Sequence, residues 1–243
     1  MSSPIAFVVV AEIADVDAAR AAAQVAMKGA QGEIDSGKTL SYSYNISPDG
    51  KTLRIVEAFA DGAAFAEHLA NPALDLPGLQ KALNGARTEV FSGNPEETPL
   101  LKELPSPSFR KVLGRAGSDV FRGSLPAAGV IFHVVAKIKD EAVVEAASKA
   151  LAAATATEVE AGTTLSYTLT SGDGYFMALE VFSDVAGCVA HVTNPALAEP
   201  LNQLFSAGVE APEVHLLNGQ ADPSKTPELG SLPAVVYDAV KKA

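Results

Sequence analysis

The chain repeats itself once, and this duplication constrains its architecture more than any other feature of the 243 residues. At an offset of 125, Phe7-Val8-Val9-Val10-Ala11-Glu12-Ile13 aligns with Phe132-His133-Val134-Val135-Ala136-Lys137-Ile138, and Gly37-Lys38-Thr39-Leu40-Ser41-Tyr42 with Gly162-Thr163-Thr164-Leu165-Ser166-Tyr167. A two-residue deletion then moves the offset to 123, where residues 55–74 match 178–197 at nine of twenty positions. The matches include Glu57/Glu180, Phe59/Phe182, Asp61/Asp184, His68/His191 and the tetrapeptide Asn71-Pro72-Ala73-Leu74 on Asn194-Pro195-Ala196-Leu197. Thr98-Pro99 and Leu104-Pro105 likewise match Thr226-Pro227 and Leu232-Pro233 in the tails. The copies span residues 4–124 and 125–243. Solenoid repeats are shorter, roughly 20–45 residues, and more numerous, so two copies of this length mean a duplicated domain.

Within each copy the periodicity reads β-α-β-β-α-β. In the first, residues 5–13 form an apolar strand, and Asp15 caps an Ala-rich helix expected to run to about Ser36 and stop at Gly37. Residues 39–47 alternate, Asp49-Gly50 turns the chain, and 52–60 return as a hairpin. Asp61 caps a second helix ended by Asn71-Pro72, and a last strand is expected near 88–91. The counterparts are 130–138, 141–160, 164–171, 175–183, 185–193 and 213–217. The expected fold is α+β: two tandem ferredoxin-like repeats, each with helices on one sheet face and the other face left needing a partner. The Pro-rich tails, with Pro95, Pro99, Pro105 and Pro107, are expected to wrap across the neighbouring copy.

Composition narrows the function. With 48% hydrophobic and 19% charged residues the chain can build a core. Lys and Arg number 18 against 29 Asp and Glu, for a net charge of −11, which argues against nucleic acid and anionic membranes as partners, since both are held by basic side chains. Most of the acidity lies in the second copy. The single Cys cannot form an intramolecular disulfide and fits a reducing, cytoplasmic setting, as does the absence of a signal-like N-terminal segment. The four histidines form no HxH or HxxxH pair, and no Gly-rich phosphate loop is present, so neither a metal nor a nucleotide cofactor is expected.

Counting outward from the hairpin turns places Tyr42 opposite Glu57 and Leu40 opposite Phe59, and in the second copy Tyr167 opposite Glu180 and Leu165 opposite Phe182. Alternation puts each Tyr and Glu on the apolar face. Phe65, His68 and Leu69, at i, i+3 and i+4, turn His68 toward the sheet, and Cys188, His191 and Val192 repeat this. A Tyr, Glu and His therefore converge between helix and sheet in each copy. Such a trio could take a proton from an acidic phenol or enol and hold the anion. Equally, Glu and His could pair only to satisfy each other within the core. His133 has no counterpart in the first copy, where Val8 stands, and marks a place where the pockets could differ.

These residues carry a resemblance. Gly37-x-x-Leu40-x-Tyr42, a hairpin, Val56-Glu57-x-Phe59-x-Asp61, then His68-Leu69 and Asn71-Pro72 resembles the antibiotic biosynthesis monooxygenase (ABM) type of dimeric α+β barrel, and the second copy carries the same pattern. The resemblance implies a fused pseudo-dimer packed as an intramolecular barrel, with self-association beyond it left open. It also implies cofactor-independent oxygenation of a small aromatic or quinol-like molecule. Glu57, His68, Glu180 and His191 would handle protons, Tyr42 and Tyr167 would stabilise the anion, and Phe59, Phe65, Asn71, Phe182, Asn194 and His133 would contact substrate. Relatives often carry Trp where Phe59 and Phe182 stand; this chain has none, which argues against haem degradation and against a Trp-assisted oxygenase. The alternative is a non-catalytic small-molecule-binding or protein-interaction module on the same scaffold.

Overall fold

The computed structural model describes residues 4–117, 129–218, 221, 224–230, 232 and 234–240. These residues form two compact units, each organised around one six-stranded sheet.

The first unit opens with β1 (Ile5–Ile13), followed by α1 (Val16–Gly29) and α2 (Gln31–Asp35). Asp15 caps α1 by accepting from the amides of Asp17 and Ala18. The single helix expected to Ser36 is in fact broken at Ala30. Gly29 lies so close to the Ala73 carbonyl that a Cβ there would stand 2.4 Å from it. The hairpin follows as β2 (Thr39–Ile46) and β3 (Thr52–Phe59), then α3 (Gly62–Ala70) capped by Asp61, a 3₁₀ turn over Pro72–Leu74, α4 (Leu76–Lys81) and β4 (Leu83–Ser92). The strand expected near 88–91 is thus longer, because its N-terminal half pairs with the C-terminal half of β1. β5 (Pro107–Phe109) adds in parallel beyond β4.

The second unit takes its first strand from the segment directly after β5: β6 (Lys111–Gly117). Then come β7 (Val130–Lys137), α5 (Glu141–Glu160), β8 (Thr164–Gly172), β9 (Tyr175–Phe182), α6 (Val185–Val192), α7 (Pro195–Gln203), β10 (Glu213–Leu217) and β11 (Ala234–Val236). α5 is unbroken, and Asp140 and Asp184 repeat the caps of Asp15 and Asp61. The final strand β12 (Asp238–Ala239) pairs with β2 and so belongs to the first unit.

The sheet orders are β12-β2-β3-β1-β4-β5 and β6-β8-β9-β7-β10-β11, the same arrangement in both units. Its central four strands are the antiparallel core of a ferredoxin-like unit. On the helix face, Phe7, Val9, Ile55 and Phe59 pack with Ala23, Ala26 and Phe65, while Phe132, Val134, Ala178 and Phe182 pack with Ala147, Leu151 and Cys188. Tail strands seal both hairpin edges, which would otherwise expose unpaired backbone groups.

Register was legible from the turns, with one correction. Tyr42 faces Glu57, Tyr44 faces Ile55 and Tyr167 faces Glu180, as counted. Leu40 and Leu165, however, do not face Phe59 and Phe182. A bulge puts Thr39 opposite Phe59 and Thr164 opposite Phe182. An extra residue in one strand re-aims the side chains beside it, and here the two threonines turn toward the helix layer, where they donate to Glu33 and Glu158.

Candidate functional site

Each unit gathers a polar cluster between helix and sheet. In the first, His68 is 1% exposed; its Nδ1 lies 2.6 Å from Glu33 Oε2 and its Nε2 3.7 Å from Glu57 Oε2. Glu33 is the organising carboxylate. Besides His68 it receives the Asn71 amide at 2.7 Å and the Thr39 hydroxyl at 2.9 Å. The second unit reproduces this: His191 Nδ1 to Glu158 at 2.7 Å and Nε2 to Glu180 at 3.6 Å, with Asn194 and Thr164 donating to Glu158 at 2.6 and 2.8 Å.

Local rules hold these groups in place. The helix before β2 ends in a paired backbone turn: Gly37 N–H donates to Ile34 O, and Lys38 N–H to Glu33 O. Gly37, at φ +72, supplies the left-handed residue this ending needs, and Gly162, at φ +74, does so in the second copy. The turn fixes Glu33 and Glu158 in the last helical turn, over the histidines. The bulged Thr39 and Thr164 reach them from the sheet. Asn71 uses its carbonyl oxygen to cap the following 3₁₀ turn and its amide to hold Glu33.

Burial raises Glu57 to about 7, against a partial opposing pull from His68 and a reinforcing push from Glu33. Glu180 is raised to about 7 by the same balance. The inner carboxylates therefore exchange protons near neutrality. Burial alone would raise Glu33 and Glu158 as well, but the bonds from His68 and Asn71, or from His191 and Asn194, hold them below the ordinary value. Burial would lower His191, yet the hydrogen bond to Glu158 and the charges of Glu180 and Glu158 lift it. In each cluster the outer carboxylate is held charged by its hydrogen bonds, while the inner one lies 3.6–3.7 Å from the imidazole Nε2 with its carboxyl raised by burial.

Of the residues singled out in the sequence, the structure brings together Tyr42, Glu57, Phe59 and His68, with Tyr42 and Phe59 ring centroids 4.8 and 4.9 Å from the His68 ring. It also brings together Tyr167, Glu180, Phe182 and His191. Phe65 packs edge-on against Phe7, away from any open surface. Asn71 and Asn194 are committed to Glu33 and Glu158. His133 lies on the opposite sheet face, because Phe132 and Val134 are the inward residues of β7; it pairs across the ladder with His215, ring centroids 5.9 Å apart. Sequence reasoning missed Glu33 and Glu158, although the 125-residue offset aligns them. Cavities of about 270, 430 and 280 Å³ lie elsewhere, and none is lined by Glu57, His68, Glu180 or His191. Among the described residues no three His, Cys, Asp or Glu side chains are grouped to hold a metal, and no helix is long and apolar enough to cross a membrane.

Fold and site together define a tandem α+β protein of two ferredoxin-like units, each with the same buried polar cluster. No protein-family model and no curated protein sequence matches the chain. Solved structures do. A protein assigned as a monooxygenase from Lactobacillus acidophilus NCFM matches at TM-score 0.59 and 14% identity, over 88% of this chain and 92% of its own. Another so assigned, from Fusobacterium nucleatum subsp. nucleatum, matches at TM-score 0.61 and 15% identity, over 88% and 90%. The likeness extends across both repeats and concerns the fold.

Proposed function

We propose that the chain is a cofactor-independent monooxygenase acting on a small phenolic or quinol-like aromatic. The observation that carries this reading is the pair of inner carboxylates, Glu57 and Glu180, raised to about 7 beside imidazoles anchored from behind by Glu33 and Glu158. A base that titrates at the working pH both accepts and returns protons efficiently. In the reaction the ionised carboxylate takes the hydroxyl proton of the substrate, and the electron-rich anion transfers electrons to dioxygen. A C–O bond forms at a ring carbon bearing hydrogen. Cleavage of the O–O bond then leaves one oxygen in a quinone, while the other departs as water with the hydrogen of that carbon and the proton taken from the hydroxyl. Both reducing equivalents come from the substrate. Tyr167, opposite Glu180, and Tyr42, opposite Glu57 and already hydrogen-bonded to Tyr44, are the ladder neighbours nearest to a developing oxyanion, and the apolar walls would accept the ring.

Dioxygen uptake with a panel of polycyclic phenols and hydroquinones, corrected for spontaneous oxidation, tests the reading. The Glu57→Gln, Glu180→Gln double variant should lose activity by about 10²-fold or more, and labelled dioxygen should place one atom in the product. Uptake unaffected by both changes would remove the glutamates from the chemistry. One observation favours the second reading, a binding or interaction module with a structural trio: the cluster is packed, Glu57 being 8% exposed, and lines none of the three cavities. Under that reading no substrate in the panel is consumed faster than in buffer.

A further inference from the structure

The copies keep the same cluster but differ in how the tyrosine is satisfied. In the first unit the Tyr42 hydroxyl lies 2.6 Å from that of Tyr44, and the rings meet edge-on at 5.1 Å. The polar tip of Tyr42 is thereby closed off within the chain. In the second unit the position of Tyr44 is taken by Leu169, fully buried, and that of Phe65 by Cys188. Burial raises the Cys188 thiol to about 12, so it remains neutral and acts as a small apolar wall. The Tyr167 side chain is only 1% exposed and no hydrogen bond to its hydroxyl is formed among the described residues, although that oxygen is not one of the fully enclosed unpaired atoms.

A hydroxyl that bonds to no protein group and is not sealed from solvent is available to a ligand's oxygen, which phenylalanine of the same shape could not hold. Tyr167 faces Glu180 across the ladder, with its ring 5.1 Å from that of His191. From this we infer that the second unit is the one that holds substrate, with Tyr167 and Glu180 gripping a ring-borne hydroxyl as donor and acceptor, and that the Tyr44/Leu169 difference decides which copy is open. The ligand class is a phenol or enol whose oxygen accepts from Tyr167 while its proton is given to Glu180. Leu169 and Cys188 replace two larger aromatic side chains at the wall, where an aromatic ligand would lie. The inference narrows the proposed function to the second unit and rests on the reading of Glu180 as its base.

The probe is 4-nitrophenol, whose phenolate absorbs in the visible and whose phenol does not, with stoichiometry measured by equilibrium dialysis. The wild-type chain should bind one molecule, with a visible band marking proton transfer to the protein. Tyr167→Phe should weaken binding about tenfold, the equivalent of one lost hydrogen bond. Leu169→Tyr, which supplies the internal partner, should abolish it, and Tyr44→Leu should raise the stoichiometry to two. Should Leu169→Tyr fail to fold, Tyr44→Leu stands alone, since it only removes bulk and a hydroxyl. Two molecules bound to wild type, none, or one lost with Tyr42→Phe and kept with Tyr167→Phe would each overturn the inference. Single binding governed by Tyr167, without any glutamate-dependent dioxygen uptake, would uphold the site and refute the oxygenase reading instead.

Discussion

Replacing Glu57 with Gln should stabilise the protein at pH 8 and leave it nearly unchanged at pH 5. The carboxyl titrates at about 7 when folded, against 4.5 in the ordinary state. As pH rises from 4.5 to 7 the unfolded chain releases this proton while the folded chain retains it, so stability falls with rising pH across that window and levels off above it. The interval, about 7 less 4.5, at 1.36 kcal/mol per pH unit, amounts to roughly 3 kcal/mol at pH 8. At pH 5 only the first part of the window has been crossed, and the penalty stays below about 1 kcal/mol. Glutamine keeps the shape and never ionises, so it removes the penalty. Urea denaturation at the two pH values measures this directly. In thermal unfolding at pH 8 the gain corresponds to roughly 6–12 °C for a chain of this length. Glu180→Gln should behave alike, and the double variant should be close to additive because the sites lie in different units. Loss of stability at pH 8, or equal shifts at both pH values, would refute the reasoning and make Glu57 a structural partner of His68.

Two further perturbations follow from the geometry. Glu33→Gln removes the charge that accepts from His68, Asn71 and Thr39 and sets an amide donor against three donors; it should cost roughly 2–4 kcal/mol near neutrality in urea denaturation. Gly114→Ala would put a Cβ 2.3 Å from the Ser148 carbonyl oxygen on α5, so β6 must lift from the helix. A loss of about 1–3 kcal/mol should accompany faster hydrogen exchange at the amides of residues 112–116.

The inner half of each site was legible in the sequence because turn chemistry and strand parity are local. Asp173-Gly174, both at positive φ, form the tight turn from which Tyr167 opposite Glu180 follows by counting. The outer half was not legible by such rules. Glu33 sits two residues from Asp35, and Glu158 two from Glu160, so nothing in helical spacing marks one acid of each pair as the ligand of a buried imidazole. That choice is made by the bulge at Thr39 and the helix-ending turn at Gly37, which act over longer reach. His133 was misplaced for a simpler reason: parity with Phe132 and Val134 already turned it to the other face.

The duplication supplies an internal comparison that bears on why the clusters persist. Between the copies the buried apolar positions have been exchanged freely: Leu53 for Phe176, Ile55 for Ala178, Phe65 for Cys188, Ala26 for Leu151. Gains at some sites balance losses at others, as cores tolerate when overall volume and patterning hold. The six polar positions have not moved: Glu33, Thr39, Tyr42, Glu57, His68 and Asn71 recur as Glu158, Thr164, Tyr167, Glu180, His191 and Asn194. Folding alone accounts for the outer members, which bond to one another. It does not account for Glu57 and Glu180, whose burial weakens the folded state at neutral pH. Carboxyls whose burial opposes folding at neutral pH, and which recur in both copies while their apolar neighbours drift, are what support the proposed proton-handling role.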